Sequence, residues 1–129
     1  MLHSKRSTPN SLFAIQLNAI GIHAFAVHPG KIRTPLQRHL RHEEMVGAGW
    51  IDDDGNVIDP TFKTPEQGAA TQVWAATSPQ LSTVGGLYLE DCAVAELTQA
   101  NPDLAGVRDY AVDLDAAARL WELSSFLAR

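Results

Sequence analysis

The chain has 129 residues, of which 45 % are hydrophobic, and its formal net charge is −5. This length fits one domain at most, and the apolar content suffices for a core. The negative charge argues against nucleic acid and against an anionic membrane surface as partners, because both require a basic face. The sequence has neither an apolar run of about 18–20 residues, as a membrane span needs, nor the apolar stretch of a signal peptide near its start.

Cysteine usage indicates the compartment. Cys92 is the single cysteine, so an internal disulfide is excluded. We therefore expect a reducing, cytoplasmic location. A nucleophilic Cys92 would need a neighbouring base, and none is identifiable in the sequence. We predict that Cys92 is a small, half-buried residue just after a strand.

The first predicted elements are a helix over 8–20 and a buried strand over 22–27. Thr8 is a suitable N-cap with Pro9 in the first turn, and Gly21 ends the helix. The short apolar run that follows is typical of a strand inside a parallel sheet. A helix, a glycine and a buried strand in this order indicate an alternating α/β fold.

Residues 31–63 differ in character, with many charges and glycines. The predicted elements here are a short helix over 37–46 and a tight turn at Asp54-Gly55. We interpret the whole stretch as an insertion or lid that is more mobile than its neighbours.

A second helix is predicted over 64–77, where Thr64 and Gln67 have the spacing of a capping box. A strand over 86–90 and a C-terminal helix over 113–127 follow. The residues predicted to face a core are Ala69, Ala70, Val73, Trp74 and Ala76 in the helix over 64–77, and Ala116, Ala117, Leu120, Trp121 and Leu127 in the C-terminal helix.

No metal site is predicted. The acidic run from Asp52 fails the EF-hand pattern, because position 12 of such a loop would be Lys63. His39 and His42 lie three residues apart, but a zinc-binding H-E-x-x-H motif starting at His42 would need histidine where Val46 stands. These residues are predicted to form an acidic turn and a solvated helix face.

Five segments of the chain occur in the order found in the short-chain dehydrogenase/reductase family. They are Leu12-Phe13-Ala14, Val27-His28-Pro29-Gly30-Lys31-Ile32-Arg33-Thr34, Thr64-Pro65-Glu66-Gln67-Gly68-Ala69-Ala70, Gly86-Leu87-Tyr88-Leu89-Glu90-Asp91 and Leu120-Trp121-Glu122-Leu123-Ser124. On these segments the chain resembles the C-terminal half of that family, in the subgroup of retinol dehydrogenases and WW-domain oxidoreductases. The resemblance implies an α/β fold that is the C-terminal portion of a Rossmann-type doubly wound parallel sheet. The sheet would be incomplete, with two parallel strands and flanking helices.

The resemblance also implies a cofactor site directly after strand 22–27. The family uses NAD(P), and the matching cofactor-binding residues are Pro29, Gly30, Ile32 and Thr34. In the family, the backbone at the position of Ile32 meets the nicotinamide carboxamide, and the hydroxyl at the position of Thr34 bonds the carboxamide or the diphosphate. The position agrees with the general rule that ligands bind beyond the carboxyl ends of parallel strands. Gly30 would let the backbone approach the cofactor.

The stretch over 31–63 matches the substrate-binding loop of the family, whose substrates are small alcohols or carbonyl compounds. Its apolar residues either line a substrate pocket or form the apolar face of a helix in the loop. They are Pro35, Leu36, Leu40, Met45 and Trp50.

The catalytic Tyr-x-x-x-Lys motif of the family does not occur in the sequence. One alignment puts Met1 and Lys5 at the tyrosine and lysine positions, and a second puts His3 and Ser7 there. The glycine-rich nucleotide turn is also missing from the sequence. We therefore assign no catalytic residue, and we do not expect the chain alone to bind NAD(P).

Three interpretations of function remain open. The chain is a truncated family member without activity of its own, or a module that forms a homo- or heterodimer through helix 8–20, or an oxidoreductase that requires a separate N-terminal half. The strand over 22–27 would have one unpaired edge, which favours association with other chains. A marginally stable monomer is therefore expected.

Overall fold

The computed structural model describes residues 20–99 and 105–128. It is mixed α/β, with a parallel sheet and flanking helices, and this confirms the predicted fold class. The helix predicted over 8–20, and with it the predicted dimer contact, lies outside the described residues except for Ile20.

The main sheet pairs a strand near residue 25 with strands about 60 residues later in the chain. Its strands are β1 (Phe25–His28), β4 (Leu87–Glu90) and β5 (Ala93–Val94), in the order β1-β4-β5. β1 and β4 are parallel and end together, with His28 opposite Glu90, while β5 runs antiparallel to β4. A separate parallel pair consists of β2 (Lys31–Ile32) and β3 (Phe62–Lys63).

The predicted strands are shifted or shortened in the structure. The strand predicted over 22–27 begins only at Phe25, because the ladder with β4 starts there, after a single hydrogen bond from Gly86 N–H to the Ala24 carbonyl. The strand predicted over 86–90 begins at Leu87. The pair β2–β3 and strand β5 were not predicted, since two-residue strands leave no periodic signal.

The described residues contain α-helices α1 (His42–Gly47), α2 (Pro65–Thr77) and α3 (Leu114–Leu127). The helices predicted over 64–77 and 113–127 each begin one residue later, because their first residues are N-caps. The Thr64 hydroxyl accepts from Gln67 N–H at 3.2 Å, and an Asp113 carboxylate oxygen accepts from Ala116 N–H at 2.9 Å.

The helix predicted over 37–46 is replaced by two shorter pieces. A 3-10 helix spans Pro35–His39 and α1 follows, while Leu40 and Arg41 between them are extended. Two further 3-10 helices span Pro79–Leu81 and Asp109–Val112.

The buried core is small and lies mainly between α2 and the strands. α2 contacts β1, β2, β3 and β4. The buried residues are Ile51, Gly68, Thr71, Leu81, Gly86, Leu89, Val107 and Ala117.

The packing faces predicted for the two long helices were largely wrong. α2 buries Gly68 and Thr71 instead, while Val73 is 59 % exposed and Trp74 is half-buried. α2 packs against Ile32 of β2 at Gly68, where an added Cβ would lie 2.7 Å from the Ile32 side chain. In α3, Ala117 is buried as predicted, but Leu120 and Leu127 are largely exposed.

A tight turn joins β4 to β5. Its two residues, Asp91 and Cys92, have φ values of 47° and 55°, as the type I′ turn of a two-residue hairpin requires. The buried Thr71 hydroxyl accepts a hydrogen bond of 3.2 Å from Cys92 N–H. The Cys92 side chain itself is exposed, which corrects the prediction of a half-buried residue.

None of the described helices combines the length and the hydropathy that crossing a membrane requires.

Candidate functional site

The candidate site lies where β1 and β4 end side by side. The chain leaves β1 at His28 and turns at Gly30, which has φ of +88°. A Cβ atom added at Gly30 would lie 2.8–2.9 Å from Cδ, Cε and Nζ of Lys63. Glycine is therefore favoured here both by the left-handed backbone and by the lysine side chain lying across it.

Ile32 is fixed from two sides. Its carbonyl oxygen accepts a hydrogen bond of 3.0 Å from Gln37 Nε2. Its side chain contacts α2 at Gly68, where an added Cβ would lie 2.7 Å from Ile32 Cγ1 and Cδ1. The backbone position expected to meet the carboxamide is thus held between β3, α2 and the first 3-10 helix.

Thr34 caps the 3-10 helix that begins at Pro35. Its hydroxyl accepts from Leu36 N–H at 3.2 Å and lies 3.3 Å from Gln37 Oε1, while its own N–H donates to Gln37 Oε1 at 2.8 Å. A hydroxyl oxygen has two acceptor sites, so one remains for an amide N–H of a ligand.

The five predicted substrate-loop residues differ in exposure, and their role stays a prediction. Leu36 and Leu40 are 78 % and 41 % exposed, and Pro35 is also exposed. Met45 and Trp50 are half-buried, and Trp50 packs edge-to-face against Phe62 at 5.8 Å between ring centroids. The break at Leu40 and Arg41 prevents a single helix from presenting all five.

The stretch over 31–63 is folded back on itself by polar contacts. The Asp52 carboxylate accepts from Asn56 N–H at 2.7 Å, and Gly55 takes the predicted tight turn with φ of +87°. Arg33 donates to the Gly55 carbonyl. Ile51 beside this turn is 2 % exposed and anchors the stretch. Sequence reasoning missed Ile51, because the two apolar residues Trp50-Ile51 beside an acidic run form no periodic pattern.

Charged groups surround a cleft of about 140 Å³ at the strand ends. Its lining residues are His28, Gly30, Lys31, Thr61, Lys63, Glu90, Asp91 and Ala105. Most of the charges are engaged. Glu90 accepts two hydrogen bonds, of 2.7 and 3.0 Å, from Gly106 N–H, and Lys31 pairs with Asp59 at 2.9 Å. Lys63 pairs with Asp91.

Asp59 is the most strongly perturbed acid near the cleft. Hydrogen bonds from the Thr61 hydroxyl and N–H, and then from Lys31, lower the pKa of Asp59 to about 2. The carboxylate is therefore ionised at neutral pH and keeps Lys31 in place.

Neither described tyrosine supplies the missing catalytic motif. Burial, followed by the charge of Glu90, raises the pKa of Tyr88, so its hydroxyl stays protonated at neutral pH. The residues four places after Tyr88 and Tyr110 are Cys92 and Leu114, not lysine. Within residues 20–99 and 105–128, no three His, Cys, Asp or Glu side chains group as metal ligands do.

Sequence reasoning missed Lys63, Gly68, Thr71 and Asp91 as parts of this region. Two signals were present. Gly68 is a glycine inside a helical pattern, which often marks close packing, and Thr71 is a polar residue directly after two alanines. Lys63 and Asp91 gave no such signal, because the sequence does not show that two residues 28 positions apart form an ion pair.

Similar proteins support the family resemblance. A probable oxidoreductase of Streptomyces antibioticus is 50 % identical over 81 % of this chain, and a short-chain dehydrogenase/reductase of Penicillium roqueforti is 36 % identical over 81 %. Human retinol dehydrogenase 14 is 30 % identical over 97 %.

The chain matches the C-terminal part of these relatives and spans about a third of their length, at 36 %, 30 % and 34 % respectively. No family model and no solved structure matches the chain. The identity over most of the chain, in family order, and the parallel α/β sheet agree with one another. The chain therefore belongs to the short-chain dehydrogenase/reductase family and corresponds to the C-terminal part of its members.

Proposed function

We propose that this chain provides the nicotinamide side of an NAD(P)-dependent oxidoreductase acting on small alcohols or carbonyl compounds, and that it has no turnover by itself. The observation that carries the proposal is the match to oxidoreductases at up to 50 % identity, together with the turn at Gly30 beyond the paired strand ends. Ligands of parallel α/β sheets bind at this edge.

The residues present fit one end of the cofactor. The nearest atoms to a Cβ added at Gly30 belong to the flexible Lys63 side chain, which can move aside, and Thr34 retains one acceptor site for the carboxamide. When bound, the nicotinamide ring would supply hydride transfer. The role of this chain is to orient that ring through Gly30, Ile32 and Thr34, while the stretch over 31–63 flanks the substrate.

The absence of turnover follows from two motifs that this sequence does not contain. Proton transfer in the family needs a tyrosine with a lysine four residues later, and the diphosphate needs a glycine-rich turn at a helix N-terminus. The chain alone is therefore expected to bind neither NADH nor NADPH in the micromolar range.

Complementation tests this proposal. The chain would be co-expressed with the N-terminal part of the Streptomyces antibioticus relative that precedes the matched region, and NADH and NADPH oxidation would be followed with a panel of aldehydes and ketones. We expect no activity from either part alone and measurable activity from the pair. Activity of the chain alone would refute the proposal, and so would an inactive pair that is folded and copurifies.

A non-catalytic interaction module is the second candidate. It is favoured by the position of β1 at the edge of the main sheet, where β1 has no second neighbouring strand among the described residues. A groove of about 610 Å³ lies beside it, lined in part by Phe25, Val27 and Leu81. Unpaired edges recruit other strands. Stable copurification with a full-length relative, without any gain in turnover, would select this candidate.

A further inference from the structure

The charged groups at the strand-end cleft differ in how firmly they are engaged. Asp59, the partner of Lys31, has a side chain only 16 % exposed and is also bonded by Thr61. Glu90 is held by Gly106 N–H. Asp91, the partner of Lys63, has a side chain 71 % exposed, and Lys63 is its hydrogen-bonding partner among the described residues.

These differences make Lys63 the exchangeable cation of the cleft. An ion pair with a largely exposed carboxylate contributes little, because water solvates the carboxylate nearly as well. Asp91 can therefore turn into solvent at low cost, while its backbone stays fixed by the Cys92 to Thr71 hydrogen bond. Lys31 has no such freedom.

The position of Lys63 indicates which group would replace Asp91 as its partner. Its methylene groups and ammonium lie over Gly30, at 2.8–2.9 Å from the place of an added Cβ. A ligand group that approaches Gly30 from the side of the missing Cβ therefore meets the end of the Lys63 side chain. An anionic group arriving there can take the place of Asp91.

We propose that Lys63 is a ligand-positioning residue, whose ammonium exchanges Asp91 for a phosphate group of the nucleotide that reaches Gly30. The inference rests on the proposed function, since that function brings a nucleotide to this strand end. It adds a charged contact from β3, outside the Pro29–Thr34 segment. Lys63 attracts the phosphate group through its positive charge. Its side chain must move away from Gly30 as the ligand enters.

Nicotinamide mononucleotide is the appropriate probe, because it carries the ring, the ribose and one phosphate without the adenosine half. It would be titrated into the ¹⁵N-labelled 129-residue chain, with chemical shifts followed at the amides of Gly30, Lys63 and Asp91. We expect a dissociation constant in the millimolar range. Lys63→Met keeps most of the side-chain volume and removes the charge, and it should weaken binding at least fivefold.

Two further variants separate positioning from damage to the fold. Asp91→Asn removes the competing carboxylate and should tighten binding two- to fivefold, an outcome that loss of structure cannot produce. Lys31→Met removes the other cation of the cleft and should change affinity less than twofold.

Equal losses in Lys63→Met and Lys31→Met, or weaker binding by Asp91→Asn, would overturn the role of Lys63. No binding of the probe to the unmodified chain at 10 mM or so would do the same. Complementation is independent of this titration. If complementation restores oxidation of NADH or NADPH but the titration shows no binding, only the inference about Lys63 is refuted. If both experiments fail, the proposed function is refuted as well.

Discussion

Helices α2 and α3 both begin at a capped first turn, but α2 is packed against strands, whereas α3 is largely exposed. Each starts at a capped first turn, with Thr64 before α2 and Asp113 before α3. α2 contacts four strands and buries Gly68 and Thr71. In α3, the buried residue is a single alanine, Ala117.

The apolar surface of α3 shows what this difference means. Leu120, Leu123 and Leu127 form a stripe at helical spacing and are 55–72 % exposed. The start of a helix is thus decided within four residues of chain, whereas the face that it buries depends on what lies beside it. Substitutions in and around the two helices test this comparison.

The largest effect is expected at the strand beneath α2. Leu89 in β4 is fully buried, and Leu89→Ala should lower the free energy of unfolding by about 3 kcal/mol, because it removes buried methyl groups and leaves a cavity. Leu120→Ala on α3 is the matched control, at 64 % exposure, and should cost less than about 0.5 kcal/mol. Urea unfolding followed by circular dichroism compares them. Similar losses would mean that the stripe on α3 is covered in solution.

Close packing of α2 against β2 gives the second effect. Gly68→Val should cost about 2 kcal/mol, because the new side chain meets Ile32 at distances that no Cβ tolerates. Gly47→Val is the control, since apart from its chain neighbours and the adjacent helix backbone no atom lies within 4 Å of a Cβ there. Combining Gly68→Val with Ile32→Ala should recover part of the loss. An unaffected Gly68→Val variant would show that α2 sits farther from β2.

Thr71 links α2 to the β4–β5 turn. Thr71→Val keeps the shape but removes the acceptor of Cys92 N–H, and we expect a loss of about 1–2 kcal/mol. Hydrogen exchange of the Cys92 amide should accelerate accordingly. Thr77→Val, at an exposed hydroxyl that donates to the Val73 carbonyl, should be nearly neutral. Unchanged exchange at Cys92 would rule out the link.

The two N-caps test whether helix starts are local. Thr64→Ala and Asp113→Ala should each cost about 1 kcal/mol, although α2 is packed and α3 is largely exposed. The midpoint of urea unfolding measures both. A loss confined to Thr64→Ala would contradict the view that capping acts independently of burial.

The smallest effect concerns pH. The pKa of Asp59 is lowered to about 2 by Thr61 and Lys31, below the usual value near 3.8. Its contribution to stability is therefore fully present above about pH 4 and is lost as pH falls towards 2. Asp59→Asn should be less stable than the unmodified chain at pH 6, and most of this difference should disappear as pH falls to 2. A difference that stays the same from pH 6 to pH 2 would mean that the carboxylate charge is not the cause.

The four predicted cofactor-binding residues lie close together in the sequence, and their role stays a prediction. Pro29, Gly30, Ile32 and Thr34 fall within six residues, and the turn after β1 places them together at the strand end. Lys63 and Asp91 reach the same place from β3 and from the β4–β5 turn. Sequence spacing carries no information about such a meeting, because it depends on the pairing of β2 with β3 and of β1 with β4.

The sequence by itself determined the α/β class, the family, the two long helices and their caps, and the glycine turn after β1. These depend on signals a few residues long, such as side chains that satisfy the first backbone N–H groups of a helix. Only the tertiary structure decided that α2 buries Gly68 and Thr71 rather than Val73, and that Lys63 covers Gly30. The physical reason is that burial and charge pairing arise between segments far apart in the chain, where the closest approach of the backbones selects the residues that fit.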